Sequence, residues 1–153
     1  MDNGQSADEI REIAMKLDNA LARRNIDVVL DMFTNDCEIE LLGIRLIGKD
    51  GAARWINWLY KHLSQVEFVP VTIMVDGNTF FEEFEVRAKL RSGMAVQSKQ
   101  AEVLVFENSR VKSLRLYFDR LDFANSIAND PISKLVIRQL LKASLKGLTG
   151  AVH

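Results

Sequence analysis

The segment RVKSLRLYFDRLDF, residues 110–123, has the alternating apolar pattern of a long β-strand. Its apolar positions are Val111, Leu114, Leu116 and Phe118. The neighbouring aromatic side chains Tyr117 and Phe118 put bulk on both faces of the strand, as a sheet covered on both sides requires. The segment ends a series of hairpins, so we predict that it is the last, central strand of a curved sheet.

Turn-forming residues divide the chain between Val66 and this segment into three runs that alternate between apolar and polar residues. The turns are Asp76-Gly77-Asn78, Ser92-Gly93 and Asn108-Ser109. Earlier in the chain, Gly43 separates a strand pattern at 37–42 from another at 44–47. The pattern predicts a mainly antiparallel sheet.

Three helices are predicted before the long strands. The first, from about residue 6 to 23, begins with a capping box of Ser6 and Glu9. The second is short, capped by Asn25, and ends near Asn35. Gly48 to Gly51 leads into the third, which carries an apolar face made of Trp55, Ile56, Leu59 and Leu63. A final helix over about 131–146 is indicated by Asp130-Pro131 at its start.

The composition favours one domain, spanning 1–153, because 48% apolar residues can bury a sizeable core. The net charge of −1 gives no general attraction to nucleic acid or to an anionic membrane. The only cysteine, Cys37, cannot form an internal disulfide, which suits a reducing compartment. No apolar run is long enough to cross a bilayer. We therefore predict a soluble cytoplasmic protein.

The element order, the segment LARRNIDVVLDMF (residues 21–33) and the ending LRLYFDRLDFA (residues 114–124) together resemble the nuclear transport factor 2-like superfamily. The resemblance is closest to its SnoaL-like group, which includes polyketide cyclases, limonene-epoxide hydrolases and steroid delta-isomerases. It implies an α+β fold with a cone-shaped, strongly curved, mainly antiparallel sheet. Three N-terminal helices would pack with that sheet around a pocket, a C-terminal helix would follow, and the assembly would be a homodimer.

In the limonene-epoxide hydrolases of this group, an Arg and two Asp residues hold and activate a water molecule. The resemblance places those positions on Phe84, Val86 and Leu116, which are apolar. A Tyr and an Asn that also hold the water fall on Ile39 and Leu41. The resemblance therefore implies that this chain lacks the usual catalytic acids of the fold.

The steroid isomerases use an Asp base together with an oxyanion hole made by a Tyr and a protonated Asp. Their base position falls on Leu41 and their Tyr position on Leu17, whereas their acid position falls on Glu102. The acid of the polyketide cyclases falls on Leu116. Only Glu102 therefore keeps a polar group at any of these positions.

Glu82 is the best pocket candidate from the residues alone. It is a carboxylate on an otherwise apolar strand face, which consists of Phe80, Glu82, Phe84, Val86, Ala88 and Leu90. Buried there, it would have a raised pKa and could act as a general acid or base. The alternative is that Glu82 lies near the strand end and is solvated or paired with an Arg.

Glu102 shares a strand face with Ser98, Gln100, Leu104 and Phe106. If that face is the inner one, Glu102 and Glu82 form a carboxylate pair in which one member holds a proton. If it is the outer face, Glu102 is exposed. Both faces of this strand are mixed, so the pattern leaves the two alternatives open.

Three hypotheses for function follow. The first is a domain that binds a small lipophilic molecule in an apolar pocket, with no catalytic acids of the usual kind. The second is an isomerase, cyclase or epoxide hydrolase-like enzyme that uses Glu82 or Glu102 for proton transfer without a cofactor. The third is a protein-interaction module whose pocket is filled.

The predicted ligand-binding residues are Leu17, Ile39, Leu41, Trp55, Phe84, Val86, Leu104, Leu116 and Phe118. Two His and one Cys predict no metal site.

Overall fold

The computed structural model describes residues 4–128 and 130–147. It forms two compact units, Met1–Phe118 and Asp119–His153. The helices of the first unit are α1 (Ala7–Ala22), α2 (Ile26–Asp31) and α3 (Gly48–His62). Its strands are β1 (Phe33–Leu41), β2 (Ile44–Ile47), β3 (Leu63–Asp76), β4 (Thr79–Leu90), β5 (Ala95–Glu107) and β6 (Arg110–Phe118). The second unit contains α4 (Leu121–Ile127) and α5 (Pro131–Ser144).

The six strands form one curved sheet in the order β2-β1-β6-β5-β4-β3. Every neighbouring pair is antiparallel except β1 and β6, which run parallel. The α+β fold class and the mainly antiparallel sheet are therefore confirmed. The central position of β6 is confirmed as well, with β1 on one side of it and β5 on the other.

The predicted helix caps are present. Ser6 and Glu9 form the capping box of α1, and the side chain of Asn25 accepts a hydrogen bond from the backbone N–H of Val28. In the second unit, the carboxylate of Asp130 accepts a hydrogen bond of 2.8 Å from the N–H of Ser133 at the start of α5. Each cap satisfies a backbone donor that the helix itself leaves without a partner.

The last strand is shorter than predicted. The segment 110–123 was expected to be one strand, but β6 ends at Phe118 and α4 begins at Leu121. The carboxylate of Asp119 accepts a hydrogen bond of 2.8 Å from the backbone N–H of Leu121. Such a local bond favours a turn over continued pairing in the sheet. The alternation after Phe118 was therefore not a strand signal.

The second helix also ends earlier than predicted, because α2 stops at Asp31 and β1 begins at Phe33 rather than at Cys37. The pairing of β1 with β6 is irregular between Phe33 and Glu38. This irregularity interrupts the alternation of burial, so only the regular part of the strand was visible in the sequence. Leu63, predicted to lie in the third helix, is the first residue of β3.

One face of the sheet packs against the helices. Every second residue of β4 from Phe80 to Ala88 is buried on this face. The alternate residues Glu83, Arg87 and Lys89 are exposed on the other face. The main hydrophobic core joins this inner face, through Phe80, Leu104 and Leu114, to side chains of α1 and α3. No helix of the described residues is long and apolar enough to cross a membrane.

Candidate functional site

Two glutamates face each other across neighbouring strands on the inner face of the sheet. Glu82 of β4 and Glu102 of β5 are direct partners in the antiparallel register. Only 2% of the surface of Glu82 and 7% of that of Glu102 is exposed. The structure thus resolves both open questions: Glu82 is not a solvated residue at a strand end, and Glu102 lies on the inner face.

A third carboxyl group comes from α1. One carboxylate oxygen from each of Asp18, Glu82 and Glu102 lies within 4.8 Å of the other two. Asp18 is half-buried, whereas Glu82 and Glu102 are buried. We call these three residues the carboxyl cluster.

Sequence reasoning missed Asp18, although a signal was present. Ala14, Leu17 and Leu21 of α1 are buried, and Asp18 lies four residues after Ala14 and three before Leu21. Residues at these spacings share one face of a helix. An acidic residue within the apolar face is the helical counterpart of Glu82 within its apolar strand face.

The cluster favours protonated carboxyl groups. Burial raises the pKa of Glu82 from 4.5 to about 7. Burial and the charge of Glu82 raise the pKa of Asp18 to about 8. The pKa of Glu102 is raised well above its usual range, first by burial and then by Asp18 and Glu82. Carboxylates this close cannot all ionise at little cost, so the cluster favours retention of protons that isolated carboxyl groups would lose.

The surroundings of the cluster differ along the strands. Toward one end of the sheet the next inner-face pair is Phe80 and Leu104, which belong to the closely packed core. Toward the other end lie Phe84 with Gln100, followed by Val86 with Ser98. Ser98 is buried, and its hydroxyl accepts a hydrogen bond of 3.3 Å from the side-chain amide of Gln100. Polar side chains therefore continue from the cluster along β5.

The predicted ligand-binding residues fall into three groups. Five lie in the contiguous core cluster: Leu17, Ile39, Leu41, Trp55 and Leu104. Phe84 and Val86 are buried on the inner face outside that cluster, while Leu116 and Phe118 are partly buried and pack against it. The indole Nε1 of Trp55 is buried and, among the described residues, has no hydrogen-bond partner. Their role in binding a ligand stays a prediction.

The carboxyl cluster is also the one group of potential metal ligands among the described residues. Carboxylate oxygens at this spacing suit a hard divalent cation such as Mg²⁺ or Ca²⁺. Metal binding requires all three groups to be ionised, which burial opposes. Protons neutralise the same repulsion, so the arrangement suits acid–base chemistry.

An open groove of about 720 Å³ lies on the first unit, where β3 begins, β4 ends and β5 begins. Its lining residues are Ala22, Ser64, Gln65, Val66, Glu67, Arg87, Ala88, Lys89, Ala95, Val96 and Gln97. None of the predicted ligand-binding residues lines it. Ala22, which lines the groove, lies one helical turn after Asp18 on α1.

A sequence model of the SnoaL-like domain matches residues 16–114. The chain belongs to the SnoaL-like domain family. The match covers Asp18, Glu82 and Glu102, so all three members of the cluster lie inside the domain. The predicted resemblance to this group is thereby confirmed.

Solved structures similar to this SnoaL-like domain share its fold at low sequence identity. An NTF2-like protein of unknown function from Burkholderia pseudomallei is 20% identical, with a TM-score of 0.66 over 72% of this chain and 91% of that one. An LEH-like epoxide hydrolase of M. tuberculosis is 21% identical, with a TM-score of 0.66 over 86% and 96%. SalBIII, an epoxide hydrolase/cyclase-like enzyme of pyran ring formation in salinomycin, is 15% identical, with a TM-score of 0.67 over 75% and 94%. No curated protein matches the chain by sequence.

Within this SnoaL-like domain, the carboxyl groups occupy other positions than the resemblance to limonene-epoxide hydrolases pointed to. Phe84 and Val86, at two of the expected water-activating positions, are buried on the inner face. Glu82 is the next inner-face residue before Phe84 on the same strand. An acidic group is therefore present on the inner face, one inner-face position before the expected Arg and two before the expected Asp.

Proposed function

We propose that this SnoaL-like domain is a cofactor-independent enzyme, an isomerase or cyclase, that transfers a proton to or from a small lipophilic substrate. The observation that carries the proposal is the carboxyl cluster of Asp18, Glu82 and Glu102, with oxygens within 4.8 Å of one another. Two of these groups are buried on an apolar sheet face. That is where a carboxyl group can act as an acid or base near neutral pH.

The cluster supplies an acid and a base side by side. Burial and two neighbouring acidic groups raise the pKa of Glu102 well above its usual range, which favours its protonated form. Glu82, with a pKa of about 7, is ionised in roughly half of the molecules at that pH. Glu82 would remove a proton next to a substrate carbonyl, and protonated Glu102 would donate a hydrogen bond to the oxygen that becomes negative. Asp18 would keep the excess proton within the cluster.

The family and fold support this proposal without specifying the reaction. The similar structures include an epoxide hydrolase and an epoxide hydrolase/cyclase-like enzyme, whose reactions also act on small organic molecules. One fold hosts many activities, so the carboxyl cluster carries the argument and the fold does not.

The direct test measures turnover of a panel of enones, lactones and epoxides by the purified protein and by two variants. Glu82→Gln and Glu102→Gln remove the titrating group and keep nearly the same shape. We expect each to lower kcat by about 10²-fold or more, which is typical of losing a general acid or base. The matched control is Glu83→Gln, since Glu83 is the next residue of β4 and is exposed on the opposite face. Unchanged turnover in both cluster variants would remove these residues as the proton carriers.

The second candidate is a binding domain that performs no chemistry. It is favoured by the buried Nε1–H of Trp55, a hydrogen-bond donor that has no acceptor among the described residues. A ligand carbonyl could accept a hydrogen bond from it. Native mass spectrometry, followed by organic extraction, would identify any small lipophilic molecule that the protein carries. A bound molecule that no form of the protein converts would favour this candidate. An empty protein in which the apolar side chains fill the pocket would favour the interaction module instead.

We further propose that the protein is a homodimer that pairs through the outer face of the sheet. Met74, Phe81 and Val103 form one cross-strand row on that face. Met74 is 56% exposed, and Tyr117 on β6 is 53% exposed. Light scattering should give twice the chain mass, and Met74→Glu should give one chain mass if this face is the interface.

A cytoplasmic location stays a prediction.

A further inference from the structure

The helix α5 exposes a row of apolar side chains to solvent. Ile132, Val136 and Leu140 follow one another at intervals of four residues, so they share one face of the helix. We call them the apolar row. They are between 52% and 74% exposed, and no residue of α5 is buried, whereas α1 and α3 bury their apolar faces in the core of the first unit. Exposed apolar surface of this kind marks a contact with a lipid or with another protein.

The opposite face of α5 carries positive charge. Lys134, Arg138 and Lys142 repeat at the same four-residue interval, two residues out of step with the apolar row. We call them the basic row. Two residues turn an α-helix by about 200°, which places the basic row nearly opposite the apolar row. All three cations are exposed, and the sequence of α5 contains no Asp or Glu. The whole chain carries a net charge of −1, so this positive charge is local to the helix.

The basic row takes part in none of the ion pairs between residues that the structure describes. The helix α1 differs in this respect. Arg11 and Lys16 on α1 are each paired with an acidic residue one helical turn earlier. The charges of α5 are therefore available to an anionic partner.

The helix α5 is closed at both ends by its own side chains. The carboxylate of Asp130 accepts hydrogen bonds from the backbone N–H and the hydroxyl of Ser133, and Pro131 is at the start of the helix. At the other end, the hydroxyl of Ser144 donates a hydrogen bond of 2.8 Å to the carbonyl of Leu141. The two rows are thus arranged before a partner binds, which lowers the entropic cost of binding.

An anionic lipid surface fits both rows at once. Its acyl chains can take up the apolar row, and its headgroups attract the basic row, whose long side chains reach back to the headgroup level. A second copy of α5 would cover only the apolar row, since it brings no acidic residue to pair with the cations. Protein interfaces concentrate their binding energy in aromatic and Arg anchors, and the apolar row contains neither. The combination favours lipid as the partner.

We propose that α5 is a membrane-surface helix, which lies in the headgroup region of an anionic bilayer with Ile132, Val136 and Leu140 turned toward the acyl chains. The apolar row extends about 12 Å along the helix axis, so the contact lies parallel to the surface. Three aliphatic side chains and three cations supply a reversible attachment rather than a permanent anchor. This role is separate from the proposed function, because α5 belongs to the second unit and the carboxyl cluster to the first.

The test is cosedimentation of the purified protein with lipid vesicles. We expect binding to vesicles of phosphatidylcholine that contain about one third phosphatidylglycerol. The variant in which Lys134, Arg138 and Lys142 are all replaced by Gln should bind these vesicles about 100-fold more weakly, since each cation near an anionic surface contributes about fivefold. The unaltered protein should bind vesicles of phosphatidylcholine alone about as weakly as that variant binds the mixed vesicles.

A charge-matched control separates local charge from net charge. It replaces Lys61, Lys99 and Arg110 by Gln, which removes the same charge from exposed positions of the first unit. This control should bind the mixed vesicles as the unaltered protein does. Circular dichroism checks that each variant stays folded.

A further variant tests the apolar row. Leu140→Gln keeps the charge of α5 and should weaken vesicle binding about fivefold, because the exposed part of Leu140 would no longer enter the bilayer. The matched control is Met15→Gln on α1, since Met15 is also an exposed large apolar residue. We expect no change in vesicle binding from this control.

Several outcomes would overturn the proposal. They are binding to neither kind of vesicle, equal binding to both, unchanged binding by Leu140→Gln, and an equal loss of binding in the charge-matched control. Light scattering without lipid tests the second copy as the occupant. If Leu140→Gln halves the mass of the protein and the unaltered protein does not bind vesicles, the apolar row is an interface between two chains and the proposal is wrong.

Discussion

Replacing Glu82 by Gln should stabilise the protein at alkaline pH. In the folded protein the pKa of Glu82 is raised from 4.5 to about 7 by burial. A group whose pKa is higher in the folded state than in the unfolded state binds more protons when folded. The contribution of Glu82 to stability is therefore fully present below pH 4.5 and is lost as the pH rises to about 7.

The size of this effect follows from the two pKa values. Each tenfold difference in proton affinity corresponds to about 1.4 kcal/mol, so a change from 4.5 to about 7 corresponds to about 3 kcal/mol. Glu82 is only 2% exposed, so solvent does little to reduce this value. Gln has nearly the same shape and never ionises. At pH 8 the Glu82→Gln protein should be more stable by up to about 3 kcal/mol, and at pH 4.5 the two should be nearly equal.

Urea denaturation at pH 4.5, 6 and 8, followed by tryptophan fluorescence, measures this difference in unfolding free energy. In a thermal unfolding experiment, about 3 kcal/mol would correspond to a shift of roughly 6–12 °C in Tm. Glu83→Gln is the control, because Glu83 is exposed on the opposite face and should show no comparable gain. Equal stabilities of the Glu82→Gln and unaltered proteins at pH 8 would refute the reasoning, because Glu82 would then ionise in the folded state without penalty. A loss of stability at pH 8 would show that its carboxylate has a favourable partner.

Three further predictions concern the scaffold and the cluster. Asp18→Asn should also raise the unfolding free energy above pH 8 and leave it unchanged near pH 4, since burial and Glu82 raise the pKa of Asp18 to about 8; a urea titration at both pH values would contradict this if the gain were larger at low pH. Tyr60→Phe should cost about 1 kcal/mol, because it removes the hydrogen bond of 2.8 Å that the buried hydroxyl donates to the carbonyl of Leu21, which keeps its bond of 3.1 Å from the N–H of Arg24; an unchanged urea midpoint would show that the Tyr60 bond contributes nothing. Gly51→Ala should cost about 1–3 kcal/mol, because an added Cβ would lie 2.9 Å from the backbone carbon of Leu46, and a Tm equal to that of the parent would show that α3 shifts freely.

Most of the first unit could be predicted from the sequence, because its strands alternate cleanly and its turns contain residues of the expected type. On β4 every second residue from Phe80 to Ala88 is apolar, with the single exception of Glu82, so the buried face was evident. On β5 the opposite face carries Ala101, Val103 and Val105, which are also apolar, so alternation alone did not assign Glu102 to a face. Only the register with β4 did so.

Two of the three members of the carboxyl cluster could be proposed from the sequence. Local pattern found Glu82 and proposed Glu102 as its partner, but Asp18 is far away in the chain and joins them only through the packing of α1 on the sheet. The end of β6 was missed for a different reason. The alternation of apolar residues continues past Phe118. The turn there depends on the hydrogen bond that the Asp119 carboxylate accepts from the N–H of Leu121, which is a matter of geometry rather than of sequence pattern.

The parallel pairing of β1 with β6 has a consequence for the order of folding. The hairpins from β3 to β6 join segments that are neighbours in the chain, so they close at low entropic cost and bring Glu82 opposite Glu102 early. β1 and β6 are separated by most of the first unit, so their pairing costs more loop-closure entropy and is expected to follow those hairpins. A partly folded chain thus holds two opposed acidic side chains before the core that shields them is complete. Refolding should therefore slow as the pH rises through the range in which these side chains lose their protons, and pH-jump experiments would detect that delay.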